Sequence, residues 1–390
     1  MPPEDTQVPI KIISGFIALL ASLFAPGNPA NAQKKYSFER PAMGSPFTIT
    51  IATTDSLAAA KAASAAFRLT DTLNNFLSDY IDSSEINRLS ATSGQNRYIP
   101  VSKPLFDILV QSQFAARLTH GAYDITIGPV VRLWRKARKT GIPPTRDEIK
   151  SAMRHTGYRF LHLDTANHSV WLEAPGMQLD VGGLGKGFVA QAVLQQLAKA
   201  GFPVAMVNAG GKIVTGFSPY SDGPVSGCPW QRLEWASQPS KKPSQDNSQR
   251  RRGHPAPAQP GWIIGINAPG EKEQLLPIYL SLQQMAVATS GDIYQYMEWK
   301  GKRYSHIIDP RTGIGLTRRR NVTAIATDGA TADWLATACS ILSYRQARKL
   351  IQQFPGAALL VTEMKQGRII QKTSVNFKQY LLPDAPASHN

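Results

Sequence analysis

The sequence predicts an α+β protein in which mixed β-sheets pack against helices. Polar and apolar residues alternate over 36–53, as expected of β-strands, whereas the Ala-rich segment over 57–80 has apolar residues at helical spacing. The chain has 390 residues, 42% of them hydrophobic. That is enough to form the core of one large domain or of two coupled lobes.

The first third of the chain is predicted to hold strands and two helices. The strands over 36–53 are separated by Met43-Gly44-Ser45, and the apolar positions of the helix over 57–80 lie on one face. A serine typical of a helix N-cap precedes the second helix, over 104–118. Gly121-Ala122-Tyr123-Asp124 ends it and leads into the next helix.

That next helix, over 131–139, is strongly basic. Its cations are Arg132, Arg135, Lys136, Arg138 and Lys139. Such a face is either solvated, as on many surface helices, or binds an anion. The sequence leaves both interpretations open.

A glycine-rich segment over 179–187 (LDVGGLGKG) follows a short helix over 147–153 and strands over 160–163 and 170–172. We predict that it ends a strand and opens a helix over 188–200. Glycines at such a junction allow backbone N–H groups to approach a phosphate, and the helix N-terminus adds favourable positive potential. The segment matches neither the G-x-G-x-x-G dinucleotide pattern nor a P-loop, so alone it indicates an anion site only weakly.

The middle of the chain contains a break in composition. A buried strand over 203–207 is followed by Asn208-Ala209-Gly210-Gly211-Lys212. Ser, Pro, Gln and Gly then dominate over 218–260, basic clusters recur, and helical periodicity is absent. We predict a disordered, basic insertion there.

Order returns with strands over 262–266 and 280–288, the second of which leads into Ala288-Thr289-Ser290-Gly291-Asp292. The segment over 304–313 (YSHIIDPRTG) then combines a histidine, a carboxylate and a strand end. Ile307-Ile308 is predicted as a short buried strand that Asp309-Pro310 stops in a turn. The last predicted elements are a strand over 321–326, helices over 331–342 and 343–354, and a strand over 357–362.

The N-terminus is predicted to be a cleaved signal peptide over 1–32. Lys11 precedes an apolar run of 13 residues, and Ala30-Asn31-Ala32 supplies a cleavage site before Gln33. The run is too short to span a bilayer, which takes about 20 residues. We therefore expect an exported protein of the periplasm or cell envelope.

Charge and cysteine content restrict the function less. The net charge of +16 is compatible with nucleic acid, membrane headgroups or acidic small molecules as partners. Predicted export argues against nucleic acid. Cys228 and Cys339 are expected to form no disulfide that matters for folding, and no thiol or zinc chemistry is expected.

Six of these motifs, in the same order, resemble those of the FAD:protein FMN transferases, the ApbE-type flavin transferases. The most specific are ATSGD with YSHIIDPRTG, and ADWLATA over 332–338. The resemblance covers about residues 36–365, and the insertion over 218–260 is longer and more basic than the family's pattern. It implies an ApbE-like fold with two coupled lobes around a central FAD cleft, formed by a single domain over 36–380.

The resemblance implies FAD as a substrate and Mg²⁺ as a cofactor. The FAD site would be lined by Met43, Tyr80, Ala122, Tyr123, Asp124, Asp180, Lys186, Asn208, Gly210, Ser290, Asp292 and the backbone near Ile307. Magnesium would be held by the carbonyl of Gly183, the carboxylate of Asp333 and the hydroxyl of Thr337.

Elementary chemistry supports the metal ligands independently. Asp333 and Thr337 are four residues apart on a predicted helix, so their side chains share one face. Mg²⁺ takes oxygen ligands and usually only one or two carboxylates, with phosphates and water completing the octahedron. The alternative is that Asp333 merely favours the helix N-terminus and Thr337 is an ordinary helical residue.

The implied reaction is attack by a threonine hydroxyl of an acceptor protein on the FMN phosphorus of FAD, which releases AMP. The acceptor would be a protein such as a membrane-bound respiratory or electron-transfer flavoprotein subunit. Either His306 or Asp309 would assist removal of the threonine proton, and the sequence does not choose between them.

Two other functions would use the same pocket. An FAD pyrophosphatase, in which water replaces the threonine, would yield FMN and AMP with the same ligands. A flavin-binding protein without turnover would keep the pocket but would not need Asp333 and Thr337.

Overall fold

The computed structural model describes residues 11–12, 33–219, 261–268, 275–291 and 295–382. Apart from residues 11–12, 218 and 219, the predicted signal peptide and insertion lie outside these ranges, as do Cys228 and Asp292.

The helices are concentrated in the first half of the described chain, and the strands over residues 205–326 follow one another with no described α-helix between them. The strands are β1 (Lys11–Ile12), β2 (Lys34–Ala42), β3 (Ser45–Thr53), β4 (Ile99–Pro100), β5 (Leu161–Asp164), β6 (Ser169–Leu172), β7 (Ala205–Ala209), β8 (Lys212–Thr215), β9 (Trp262–Asn267), β10 (Leu275–Leu282), β11 (Ala286–Ser290), β12 (Tyr296–Trp299), β13 (Lys302–Ser305), β14 (Ile308–Asp309), β15 (Ile314–Gly315), β16 (Arg320–Ala326), β17 (Ala358–Lys365) and β18 (Arg368–Thr373). The α-helices are α1 (Ser56–Leu77), α2 (Glu85–Ser90), α3 (Lys103–Leu118), α4 (Gly128–Thr140), α5 (Arg146–Met153), α6 (Gly185–Lys199), α7 (Gly329–Ile341) and α8 (Tyr344–Ile351).

Within the described residues, one sheet of nine strands organises the fold, in the order β1-β2-β3-β7-β8-β11-β16-β17-β18. Its neighbouring strands pair antiparallel. Smaller sheets are formed by β9 with β10, β12 with β13, β14 with β15, and β4, β5 and β6. The predicted combination of sheets and helices is confirmed, and the division into two lobes stays a prediction.

Both faces of the sheet centre are buried, because side chains alternate sides along a strand. On β16, Val322 and Ala324 join the main core, whereas Ile325 points into a second core beneath β9 and β10. The main core contains helices α1, α6 and α7. This two-sided burial holds the strand ends that carry the site residues in fixed positions.

Helices α6 and α7 touch backbone to backbone at a pair of glycines. A Cβ on Gly187 would lie 2.0 Å from the carbonyl oxygen of Gly329, and a Cβ on Gly329 would lie 2.3 Å from that of Gly187. Side chains larger than hydrogen would therefore force the helices apart. The close approach brings the first turn of α6 against Asp333 of α7.

The predicted strand before the glycine-rich segment is wrong. Only a single bridge, between Gln178 and Ile127, forms there. The N–H of Leu179 donates to the Ser90 hydroxyl, and that of Asp180 donates to the Ile125 carbonyl. These contacts satisfy the backbone without a strand ladder, and α6 begins at Gly185.

Other differences concern element ends. The helix predicted over 57–80 ends at Leu77, because Ser78 is extended and its hydroxyl accepts a hydrogen bond from the Tyr80 N–H. The strand predicted over 280–288 is two strands, β10 and β11. Elements that were not predicted include α2, β4, β8, β12, β13, β15 and β18. Among the described residues, no helix combines the length and apolar composition needed to cross a membrane.

Candidate active site

A cleft of about 1190 Å³ brings the predicted motifs together. Except for Asp309 and Asp292, all the predicted site residues line it. Asp292 lies outside the described residues. A smaller cavity of about 310 Å³, beside Tyr98 and His162, contains none of the predicted residues.

The predicted metal ligands lie side by side within this cleft. Asp333 and Thr337 occupy successive turns of α7, whose N-cap Asp328 accepts a hydrogen bond from the Thr331 N–H. The Thr337 hydroxyl lies 3.3 Å from the carbonyl oxygen of Gly183 and 3.1 Å from that of Asp333. The loop before α6 and one face of α7 thus present a carbonyl, a hydroxyl and a carboxylate together.

The Asp333 carboxylate is only 1% exposed. Its Oδ2 accepts a hydrogen bond of 3.1 Å from the Gly187 N–H, whereas Oδ1 has no hydrogen-bond partner among the described residues. The Lys212 ammonium lies 4.0 Å from Oδ1. Burial raises the pKa of Asp333, and the positive charge of Lys212 opposes that rise.

A divalent cation fits this donor set. A buried carboxylate oxygen without a partner is costly unless a cation or a donor compensates it. Hard oxygen donors of three kinds are what Mg²⁺ prefers. In the part of the chain that the structure describes, no three His, Cys, Asp or Glu side chains gather to hold a metal ion. A cation here would therefore depend on the neutral oxygens of Gly183 and Thr337.

The glycine-rich segment is fixed by Asp180. Its Oδ1 accepts a hydrogen bond of 2.7 Å from the Gly182 N–H, and its Oδ2 lies 2.9 Å from a guanidinium nitrogen of Arg135. Arg135 also pairs with Asp79 and stacks over the Tyr80 ring, with 4.0 Å from its Cζ to the ring centroid. Burial, and after it the negative charge of Asp79, raises the pKa of Asp180 to about 6, although the positive charge of Arg135 opposes this rise.

The basic helix α4 is divided between solvent and cleft. Arg135 and Arg138 line the cleft, whereas Arg132, Lys136 and Lys139 are exposed. The prediction of a solvated basic face therefore holds for the exposed cations, whereas the cations in the cleft are placed where an anion could bind. Sequence reasoning missed the role of Arg135, because nothing in the local pattern shows that Asp79 and Asp180 converge on it.

His306 faces the cleft as a neutral base. A single carbonyl, that of Gln295, accepts a hydrogen bond of 3.0 Å from the His306 backbone N–H and lies 3.0 Å from Nδ1. This contact assigns the ring proton to Nδ1 and leaves the lone pair on Nε2. The ring surface is partly open to the cleft, yet the surrounding protein buries it enough to lower its pKa to about 4. Burial is the largest cause of this lowered pKa; the hydrogen bond to the Gln295 carbonyl opposes it, and the positive charges of Lys212 and Arg138 contribute to it.

Asp309 lies in the two-residue strand β14 and does not line the cleft. Its carboxylate accepts two hydrogen bonds from the Arg311 side chain, of 2.8 and 2.7 Å, and a third of 3.0 Å from the Arg311 backbone N–H. The neighbouring Pro310 and the backbone at Ile307 do line the cleft. The structure thus gives His306, and not Asp309, access to a substrate in the cleft.

The glycine-rich turn after β7 forms one wall of the cleft. Asn208 accepts a hydrogen bond of 2.8 Å from the Gly211 N–H, and Gly210 has a positive φ of 60°. A Cβ on Gly210 would lie 2.5 Å from the Ser45 hydroxyl oxygen, beside Met43, and 3.7 Å from the Lys186 ammonium. Burial lowers the pKa of Lys186, and the charge of Lys212 lowers it further.

The remaining predicted residues shape the cleft rather than present reactive groups. The Asp124 carboxylate accepts hydrogen bonds from the Thr126 N–H and hydroxyl and from the Tyr158 N–H, of 2.7–2.8 Å. This holds the turn with Ala122 and Tyr123 against the predicted metal ligands. Ser290 is buried at the end of β11, on the cleft wall.

Comparison with known proteins gives the same family throughout. A model of the ApbE family matches residues 43–231 and 248–361. The FAD:protein FMN transferase of Treponema pallidum is 31% identical over 285 residues, which cover 72% of this chain and 70% of that protein. That of Vibrio cholerae is 25% identical over 370 residues, 94% of this chain and 98% of its own.

Solved structures share the fold. The flavin transferase ApbE from Vibrio cholerae has a TM-score of 0.70 at 22% identity, covering 90% of this chain and 100% of its own. The ApbE protein from Thermotoga maritima has a TM-score of 0.71 at 25% identity, covering 89% and 99%.

Proposed function

The chain belongs to the ApbE family, and from that premise we propose that it transfers the FMN moiety of FAD to an acceptor protein, releasing AMP. The relatives named FAD:protein FMN transferase support this reaction. The observation that carries the proposal is the convergence of Asp333, Thr337 and Gly183 beneath two lysines, in a cleft large enough for a dinucleotide.

Mg²⁺ is the proposed cofactor, held by the Asp333 carboxylate, the Thr337 hydroxyl and the Gly183 carbonyl. The buried Oδ1 of Asp333, which has no hydrogen-bond partner in the described part of the chain, supports this assignment. When bound, the cation would neutralise charge on the diphosphate and favour departure of AMP. The chain's own contribution is electrostatic and geometric: Lys186 and Lys212 attract the diphosphate, and the rigid α6–α7 contact holds the carboxylate in place.

His306 is the proposed general base. An acceptor threonine hydroxyl attacks the FMN phosphorus, the bond from phosphorus to the AMP oxygen breaks, and the threonine proton passes to Nε2. The Gln295 carbonyl supports this role because it keeps the other ring nitrogen protonated. The low pKa of His306 keeps the base free of a proton at neutral pH.

The acceptor and the compartment complete the proposal. The acceptor presents a threonine, as in a membrane-bound respiratory or electron-transfer flavoprotein subunit. Transfer occurs in the periplasm or cell envelope after cleavage of a signal peptide over 1–32. The short apolar run followed by Ala30-Asn31-Ala32 supports export.

The test is to incubate the purified protein with FAD, Mg²⁺ and a candidate acceptor, then to detect flavin fluorescence in the acceptor band of a denaturing gel. Labelling is expected with wild-type protein and with Asp309→Asn, and is expected to disappear with Asp333→Asn and with an acceptor whose threonine is replaced by valine. Free FMN and AMP without labelling would identify a pyrophosphatase instead. Absence of AMP at every Mg²⁺ concentration would identify a flavin-binding protein without turnover.

A further inference from the structure

We propose that Lys212 couples cation binding to dinucleotide binding: its ammonium group is the counter-ion of Asp333 until the diphosphate of FAD arrives. The inference rests on the proposed function and deepens it. It gives a positioning role to a residue outside the predicted ligand set.

Lys212 is held in place at the cleft wall. Its ammonium donates a hydrogen bond of 2.7 Å to the Thr289 carbonyl on the neighbouring strand β11. From there it lies 4.0 Å from Asp333 Oδ1, the carboxylate oxygen that has no hydrogen-bond partner among the described residues. The Lys212 side chain is 16% exposed and that of Asp333 is 1% exposed, so water screens the pair little.

Positive charge exceeds negative charge around this carboxylate. Lys186 lines the same wall, and its ammonium acts on both Asp333 and Lys212. Asp79 and Asp180 do not offset the excess, because both are paired with Arg135. One carboxylate therefore faces two ammonium groups.

A divalent cation entering alone would add two charges to this excess and meet repulsion from both lysines. The diphosphate of FAD carries two negative charges, so it offsets two of the positive charges that the lysines and the cation bring together. Each ligand should thus bind weakly alone and strongly in the presence of the other. Such coupling is reciprocal and typically amounts to about 5- to 150-fold in affinity.

The experiment measures cation affinity, not turnover. Mn²⁺ binding is followed by electron paramagnetic resonance with and without FAD, in a His306→Ala background that leaves FAD intact. FAD is expected to tighten Mn²⁺ binding at least ~10-fold. Adding Lys212→Met is expected to tighten FAD-free Mn²⁺ binding by ~10-fold or more, to weaken metal-free FAD binding, and to shrink the coupling.

Controls separate charge from structure. Lys212→Arg keeps the charge and is expected to retain the coupling. Lys212→Gln loses the charge but keeps a hydrogen-bond donor for the Thr289 carbonyl, so it should behave like Lys212→Met. If the Met variant fails to fold, the Gln variant takes its place. Lys199→Met, at the exposed end of α6, should change nothing.

Two results would overturn the inference: Mn²⁺ affinity that is equal with and without FAD, or folded Met and Gln variants with unchanged FAD-free Mn²⁺ affinity. Acceptor labelling by protein with an intact His306 is measured in parallel. Labelling without coupling refutes this inference alone, and coupling without labelling refutes the proposed function alone.

Discussion

The contact between α6 and α7 makes a strong prediction for the variant Gly187→Ala. The new Cβ would lie 2.0 Å from the Gly329 carbonyl oxygen and 2.8 Å from the Asp333 Cβ. Contacts of a Cβ below 3.0 Å essentially never occur, so the helices must separate by about 1 Å. Because one of the obstructing atoms is backbone oxygen, no side-chain rotation can relieve the clash.

The free energy of unfolding should fall for two reasons. Overpacking a rigid contact lowers it by about 1–3 kcal/mol. Separation of the helices also lengthens the 3.1 Å hydrogen bond from the Gly187 N–H to Asp333. A hydrogen bond to a charged group contributes about 1.5–3 kcal/mol. Together these effects predict a loss of about 3–5 kcal/mol, which corresponds to a fall in Tm of about 4–7 °C for a domain of about 350 residues.

Gly185→Ala is the matched control, two residues earlier in the same helix. Its Cβ would meet only the Val181 side chain, at 3.4 Å from Cγ2 and 4.0 Å from Cβ, which are ordinary contacts. Alanine is favoured over glycine in a helix by up to about 1 kcal/mol, so this variant should be as stable as wild type or slightly more stable. Urea unfolding and thermal denaturation of the three proteins measure the difference.

The reasoning would be refuted by a Gly187→Ala protein that unfolds within ~1 kcal/mol of wild type with an unchanged m value. A second measurement connects packing to the site. Since Asp333 moves with α7, Gly187→Ala should also weaken Mn²⁺ binding, even at temperatures where the variant is fully folded.

Four further variants separate the roles of the acidic and basic groups. Asp333→Asn should weaken Mn²⁺ binding ~100-fold, yet it should lower the free energy of unfolding in urea by less than ~1 kcal/mol. The reason is that the pKa of Asp333 is raised in the folded protein, so that ionisation of this carboxylate destabilises the fold as the pH rises. His306→Ala should lower the transfer kcat by ~10²–10⁴-fold. In wild type, kcat should stay level from neutral pH down to about 5 and fall through pH 4, since the pKa of His306 is about 4; a fall centred near 6.5 would contradict this. The pKa of Asp180 is about 6, and its protonation removes one of the two ion-pair partners of Arg135. The KM for FAD should therefore rise ~5-fold between pH 7 and pH 5 in wild type. It should not change over this range in Asp180→Asn, which has no carboxylate to protonate. Asp309→Asn should keep kcat/KM within ~2-fold, because its carboxylate is held outside the cleft, and a larger loss would restore it as a candidate base.

Local geometry explains which parts of the site were predictable. Asp333 and Thr337 are four residues apart on a helix, so the sequence alone brings them to one face. Glycine-rich turns likewise signal close backbone approach without any knowledge of the partner. The contact between the Gly183 carbonyl and the Thr337 hydroxyl joins two distant parts of the chain. Only the family resemblance predicted that these two residues would lie together.

The unpredicted parts depend on distant segments. Arg135 looked like one cation among five, and only the fold brings Asp79, Asp180 and the Tyr80 ring around it. The strand expected before Asp180 fails for the same reason, since the Ser90 hydroxyl occupies a donor that a ladder would have used. Sequence periodicity cannot anticipate such side-chain competition.

The glycine pair links stability to chemistry in one contact. Helices that meet backbone to backbone at Gly187 and Gly329 pack closely beside Asp333, whose buried carboxylate has one oxygen hydrogen-bonded and the other without a hydrogen-bond partner among the described residues. In a looser contact, water would satisfy that oxygen and screen it from Lys212. Tight packing therefore leaves a buried negative charge on Asp333 that a cation or the Lys212 ammonium must neutralise. A variant that forces the helices apart, such as Gly329→Ala, should therefore weaken Mn²⁺ binding, measured by electron paramagnetic resonance, without removing any ligand.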